Sequence, residues 1–314
     1  MSKHPVFAKE IQADGSFVQQ GNVLSTPFSY EAGGLIPEAN RYQLVWMPAC
    51  PHAHKVVIAI HLLGLDTIIP ISATGPYRTD EGWVFSDYPS GRDPLTGAKS
   101  TLELYQRSLP DYDLRPTVPL MVDLRSGQAV NNDHKTLTLQ LETVWQDFHA
   151  KTAPDLYTEA LRPEIDRLNR LIYEEINVGF YKVGFAENQS AYEQAYDNLF
   201  EILDFLEDRL SQSRYLCGDQ LTDADLRLYP SLARYDVVYY DEFRCRERRL
   251  RDYPHLWRYA RDLYQIPAFG RTTDFDFIKE SYYRSPHLKA LFGNSHNILP
   301  KGPDLTPWQQ APIN

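Results

Sequence analysis

Apolar and polar residues along this chain change period near its middle, and the change divides the chain. Arg41 to Met47 (RYQLVWM) alternates in the manner of a strand. Pro51 to Leu63 reads as a helix, with proline in its first turn and Gly64 beyond its end. Thr67 to Ser72 (TIIPIS) is a short strand, and Thr117 to Leu124 (TVPLMVDL) is another that carries Pro119. The turn RSGQ follows, then a return strand beginning at Ala129–Val130, then a helix predicted over Asn131 to Trp145. Residues 74–113, rich in Gly, Pro, Asp and Tyr, read as a long insertion, in which Trp83, Phe85 and Tyr88 argue for order. From about residue 155 the period becomes helical. Leu199, Leu203, Leu206 and Leu210 share one face, preceded by Tyr192 and Tyr196 at the same spacing. Thr222 to Asp225 has the form of a capping box, and Tyr253 to Gln265 gives a further helix.

The pattern predicts an extended N-terminal arm over 1–40, a small α/β layer over 41–148 containing the insertion, an all-helical unit over 149–290 and a surface tail over 291–314. Composition narrows the possible functions. A net charge of −10 without a long basic block speaks against nucleic acid as the main partner. No stretch approaches the ~20 apolar residues of a membrane span, and the N-terminus lacks the apolar centre of a signal peptide. A cytoplasmic protein with no membrane partner is the expectation. The three cysteines, Cys50, Cys217 and Cys245, are far apart and include no CxxC pair, so neither a disulfide framework nor a zinc site is expected.

Cys50 stands where a strand ends and a helix begins, directly before Pro51. Open amides and the helix dipole favour a thiolate there, so its pKa is expected to be lowered. Ala53 occupies the place of a resolving cysteine, which makes the site monothiol and a mixed disulfide its natural intermediate. Cys217 and Cys245 lack this setting and read as structural. His52 and His54 do not face the same way on one turn, so they read as neighbours of the site and not as metal ligands; Lys55 reads as a solvated lysine. Pro119 after Val118 is a candidate cis-proline that presents backbone groups to a ligand. Asn132-Asp133-His134 falls where the next helix should start, a place suited either to a bound carboxylate or to an ordinary N-cap.

These residues resemble the glutathione transferase superfamily, and within it the xi class, the glutathionyl-hydroquinone reductases. The resemblance rests on Cys50-Pro51-His52-Ala53-His54-Lys55, Gly82-Trp83-Val84-Phe85, Arg115 to Leu120, NVGFYKVGFA (177–186), the long signature from Arg214 to Cys245, IKESYY (278–283) and SHNILPKGP (295–303). It implies a thioredoxin-like α/β domain followed by an all-α domain, the glutathione transferase fold, in a homodimer. It also implies glutathione as co-substrate and an aromatic, quinone-type second substrate. Cys50 would be the nucleophile. Trp83, Arg115 and the backbone of Val118 beside Pro119 would hold glutathione. Tyr181, Tyr239 and Tyr282 would line the aromatic site and donate to the leaving oxygen.

The chain departs from the family at His52 for Trp, at Asp133-His134 for the Glu-Ser that receives the γ-glutamyl end, and at Ser281 for His. Those changes cluster in the thiol pocket, so another low-molecular-weight thiol in place of glutathione is a further possibility. Two alternatives stand beside the reductase: a conventional glutathione-conjugating transferase, which Cys50 in place of Ser or Tyr disfavours, and a non-catalytic binding protein of the same fold.

Overall fold

The computed structural model describes residues 9–288, Gly293 and 297–310. Thus Ser295 and His296 of the SHNILPKGP motif, and parts of the predicted arm and tail, lie outside the described residues. Strand β1 (Tyr42–Trp46) is buried along its whole length and leads through Pro48 and Ala49 into helix α1 (Pro51–Leu62). Strand β2 (Ile71–Ala73) returns parallel to β1, while β5 (Leu120–Asp123) and β6 (Gln128–Asn131) complete the sheet antiparallel, in the order β2-β1-β5-β6. β1 is central and covered on both faces, which explains why YQLVW carries little polar character.

Two element bounds need correction, and the stretch read as an insertion is ordered, as its aromatic residues argue. The strand predicted over 67–72 begins only at Ile71, because Leu65–Thr67 forms a helical turn first. The stretch 74–113 is structured, holding the hairpin β3 (Arg78–Thr79) and β4 (Gly82–Trp83) and helix α2 (Thr101–Ser108), which Ser100 caps through its hydroxyl to the Glu103 N–H. Gly82 turns that hairpin at φ 80°, and a Cβ there would meet the Thr101 hydroxyl at 2.6 Å. Helix α3 (Leu137–Thr143) is shorter than the predicted 131–145, since the turn at Asp133 precedes it.

The helical layer begins with α4 (Arg162–Leu171), which widens into a π-helical turn at Ile172–Asn177, and continues with α5 (Gly179–Phe185) and the long α6 (Gln189–Gln212). We propose that the two units meet between Phe148 and His149, in the stretch joining α3 to α4. Helix α7 (Asp223–Arg234) is buried throughout. It opens on the predicted box: the Asp225 carboxylate accepts the N–H of Thr222 at 2.8 Å and its hydroxyl at 2.9 Å. A wide turn, Tyr235–Tyr239, follows it, and then come α8 (Pro254–Tyr264), the short α9 (Pro267–Gly270) and α10 (Phe275–Arg284).

Helix α1 packs against α7, α3 and α9, which explains why ten of its residues, including His52, His54 and Lys55, are buried. Lys55 is 1% exposed and not the solvated lysine expected. In the tail, Trp308 is buried against Trp257, Tyr264 and Phe275.

Candidate active site

The turn at Cys50 is held from the helical layer. Arg234, at the end of α7, is fully buried and donates to the carbonyls of Ala49 (2.8 Å), Pro48 (2.8 Å) and Pro230 (2.7 Å). The bonds to Ala49 and Pro48 fix the backbone immediately before Cys50, while His54 meets Thr272 at 2.8 Å one turn later. Cys50 itself is half-buried, and its Sγ lies 3.6 Å from the carbonyl of Val118, the residue before cis Pro119. The predicted cis bond is therefore present opposite the cysteine.

Burial pushes the Cys50 thiol up from its ordinary value. The N–H groups of Ala53 and His52, together with Arg234 and Arg115, pull the other way without overcoming it. The expected lowering is thus corrected: the amide donors are in place, but desolvation outweighs them. A neutral thiol can donate its S–H to the Val118 carbonyl.

Cys50 opens on a cavity lined by residues from both layers and from the N-terminal arm. Trp83, Arg115, Val118, His134, Tyr181 and Tyr282 of the predicted set line it. Pro119, Asp133 and Tyr239 are not among its lining residues. Asp133 is turned into its own loop, where its carboxylate accepts the side-chain amide of Asn22 (2.6 Å), the N–H of Lys135 (3.1 Å) and the hydroxyl of Thr136 (2.7 Å). It therefore serves as a local cap. Tyr239 stands behind Tyr282, with its hydroxyl 3.4 Å from that of Tyr282, which in turn lies 2.6 Å from the hydroxyl of Tyr181. Burial raises the pKa of all three tyrosines, least so at Tyr282, where Arg234 and the two neighbouring hydroxyls oppose the rise.

Arg115 is not a free cation. Its guanidinium donates to Glu10 at 2.7 and 2.9 Å, and Glu10 is 3% exposed. On the wall nearest α1, the rings of His52 and His134 lie 4.5 Å apart, both kept well below the ordinary histidine range, first by burial and then by nearby positive groups. They are neutral, and among the described residues no Asp or Glu lines the cavity.

Sequence reading missed Phe17, Gln19, Gln20 and Asn22 of the arm, Arg78 of β3, and His287 and Leu288 after α10. The arm has no period to read, and Arg78 lies in the stretch read as an insertion. A polar residue just before the Gly82-Trp83 motif was the only signal available for it.

The fold that carries this site is shared by known proteins. Residues 189–262 match the family model "Glutathione S-transferase, C-terminal domain". The chain is 40% identical to the glutathionyl-hydroquinone reductase YqjG of Escherichia coli, over 88% of this chain and 82% of that protein. It superposes on the xi-class glutathione S-transferase of Phanerochaete chrysosporium with a TM-score of 0.87 at 38% identity, covering 93% and 94% of the two chains. It superposes equally completely on the xi glutathione transferase of Saccharomyces cerevisiae in complex with glutathione, with a TM-score of 0.84 at 31% identity and coverage of 91% and 98%. The chain belongs to the xi-class glutathione transferase family. Within that family its fold is the glutathione transferase fold, and it is an enzyme of the transferase or reductase kind.

Proposed function

We propose that this enzyme reduces glutathionyl-hydroquinone-type thioethers through a mixed disulfide on Cys50, with glutathione as co-substrate. The observation that carries the reading is Cys50 itself, a single thiol at the N-terminus of α1 that lines one cavity with Tyr181 and Tyr282. The relatives named glutathionyl-hydroquinone reductase, and the relative in complex with glutathione, support it.

In the first step the Cys50 thiolate attacks the glutathionyl sulfur. A Cys50–glutathione disulfide forms, the bond from sulfur to the aromatic ring breaks, and its electron pair leaves with the ring, which takes up one proton. In the second step the thiolate of another glutathione attacks that disulfide, releasing oxidised glutathione and restoring the Cys50 thiolate. One thioether and one thiol thus give a hydroquinone and a disulfide, so the oxidised product is the disulfide and the reduced one the ring.

When Tyr181 and Tyr239 both donate to Tyr282, the Tyr282 proton is left for the cavity. We assign it to the oxygen of the aromatic substrate. The thioether reacts as its keto tautomer, the electron pair of the broken carbon–sulfur bond passes through the ring to that oxygen, and Tyr282 supplies the one proton the resulting phenolate takes up. Trp83, Arg115, Val118, Pro119, Asp133 and His134 are proposed to shape the thiol side, Pro119 and Asp133 by holding Val118 and His134 in place. The proposal includes a homodimer, which a sedimentation mass of one chain would remove, and a cytoplasmic location, where thiols such as Cys50, Cys217 and Cys245 stay reduced; export of the tagged protein would refute that location.

The test is turnover of a glutathionyl-hydroquinone by wild type and Cys50→Ala. The variant is expected to fall to the uncatalysed background. Full activity in the variant would instead favour a conventional conjugating transferase, in which the nucleophile is glutathione's own thiolate.

A further inference from the structure

Arg78 lies on β3 directly opposite Trp83 of β4 and lines the same cavity as Cys50. Its backbone N–H donates to the Ser285 hydroxyl at 2.9 Å, which fixes the strand. Its side chain has no such anchor. Arg78 is 8% exposed, yet Nε and Nη1 are buried without a hydrogen-bond partner. Burial and repulsion from Arg115 lower its pKa to about 9, so the guanidinium is still charged at neutral pH. A buried charge with open donors is strongly unfavourable unless something completes it.

Among the described residues no protein group completes it. Of the acids that act on it, Glu10 is committed to Arg115 through two bonds and Asp80 is exposed to solvent. Arg234 shows what a structural arginine looks like in this molecule: equally buried, with all three nitrogens on backbone carbonyls. Arg78 differs in that its unused donors belong to a residue of the cavity wall. In the same cavity His52 and His134 are neutral, and among the described residues no carboxylate lines it to meet a ligand's ammonium group. Of the charged side chains that line it, Arg78 is the one with buried donors left without a protein partner.

We propose that Arg78 binds a carboxylate of the small thiol that exchanges with Cys50, so that the co-substrate is a thiol carrying a carboxylate. This rests on the function proposed above. A planar carboxylate matches the guanidinium fork. A phosphate's second charge would want a second free cation, and Arg115 is already engaged by Glu10.

The experiment is steady-state kinetics with a glutathionyl-hydroquinone and either glutathione or its diethyl ester, in which both carboxylates are blocked. It is run on wild type, Arg78→Leu and Arg78→Gln, each checked by thermal melting. Wild type is expected to show a KM about ten- to a hundredfold higher for the diester, the range for losing a charge-assisted bond. Both variants are expected to show that same rise for glutathione, with kcat little changed and no further loss on the diester. Folded variants that keep the wild-type KM, or keep the preference for the free acid, would overturn the assignment. In parallel, all three proteins are incubated with oxidised glutathione and weighed. An adduct on Cys50 of wild type alongside unchanged discrimination in the variants rejects Arg78 alone; no adduct on wild type rejects the mixed-disulfide reading, and the Arg78 assignment with it.

Discussion

Cys50 sits between opposing influences. Burial favours the neutral thiol, while two helix amides, Arg234 and Arg115 favour the thiolate, and burial prevails. A thiol whose pKa is raised reacts less at neutral pH and more as pH climbs, because only the thiolate is a nucleophile. Alkylation of Cys50 by iodoacetamide is therefore expected to accelerate across the alkaline range, with a midpoint above the ~8.5 of a free cysteine. A plateau reached below pH 7 would show the amides and arginines to be dominant after all. The sequence offered Cys50, Pro119 and the tyrosines as candidates because each stands in a short motif with its own local chemistry; the structure brings Cys50, Tyr181 and Tyr282 to one cavity and leaves Pro119 and Tyr239 off its lining. The sign of the thiol's shift was not legible, since desolvation comes from the burial of the whole turn, which the tertiary packing sets and the motif does not.

Elements were legible wherever their signals are local. β1 and α1 fall where alternation, Pro51 and Gly64 place them, and α7 starts at its box. The Asp225 carboxylate of that box reaches further than the motif implies. Besides Thr222 it accepts the Leu216 N–H at 2.9 Å and the Tyr259 hydroxyl at 2.8 Å, all within a buried environment. Asp225→Ala leaves those donors unsatisfied and is expected to cost about 3 kcal/mol in denaturant-monitored unfolding. A loss under 0.5 kcal/mol would mean that water or a neighbour replaces the carboxylate. The hairpin β3–β4 and helix α2 were not legible as elements, because two-residue strands carry no period and the stretch around them is crowded with turn residues. That is also why Arg78 escaped notice.

In the whole molecule the α/β layer supplies Cys50, the proposed nucleophile, and the helical layer supplies its setting. Arg234 clamps the carbonyls before Cys50, Arg227 donates to the Lys135 carbonyl and the Thr138 hydroxyl from the same helix, and α10 brings Tyr282 over the cavity. The two-layer order was readable from the change of period near residue 155. The joining contacts were not, because a buried arginine in a helix of leucines has no distinguishing pattern until its partners are known. The arm is the clearest case: without periodicity it still delivers Phe17 and Gln20 to the cavity and Glu10 to Arg115. All of this geometry converges on one sulfur. The most direct test is intact-protein mass spectrometry after incubation with oxidised glutathione, on wild type and Cys50→Ala. The account predicts a single glutathione adduct on wild type, mapped to Cys50 and absent from the variant. A wild-type protein that takes no adduct, or takes it at Cys217 or Cys245, would contradict it.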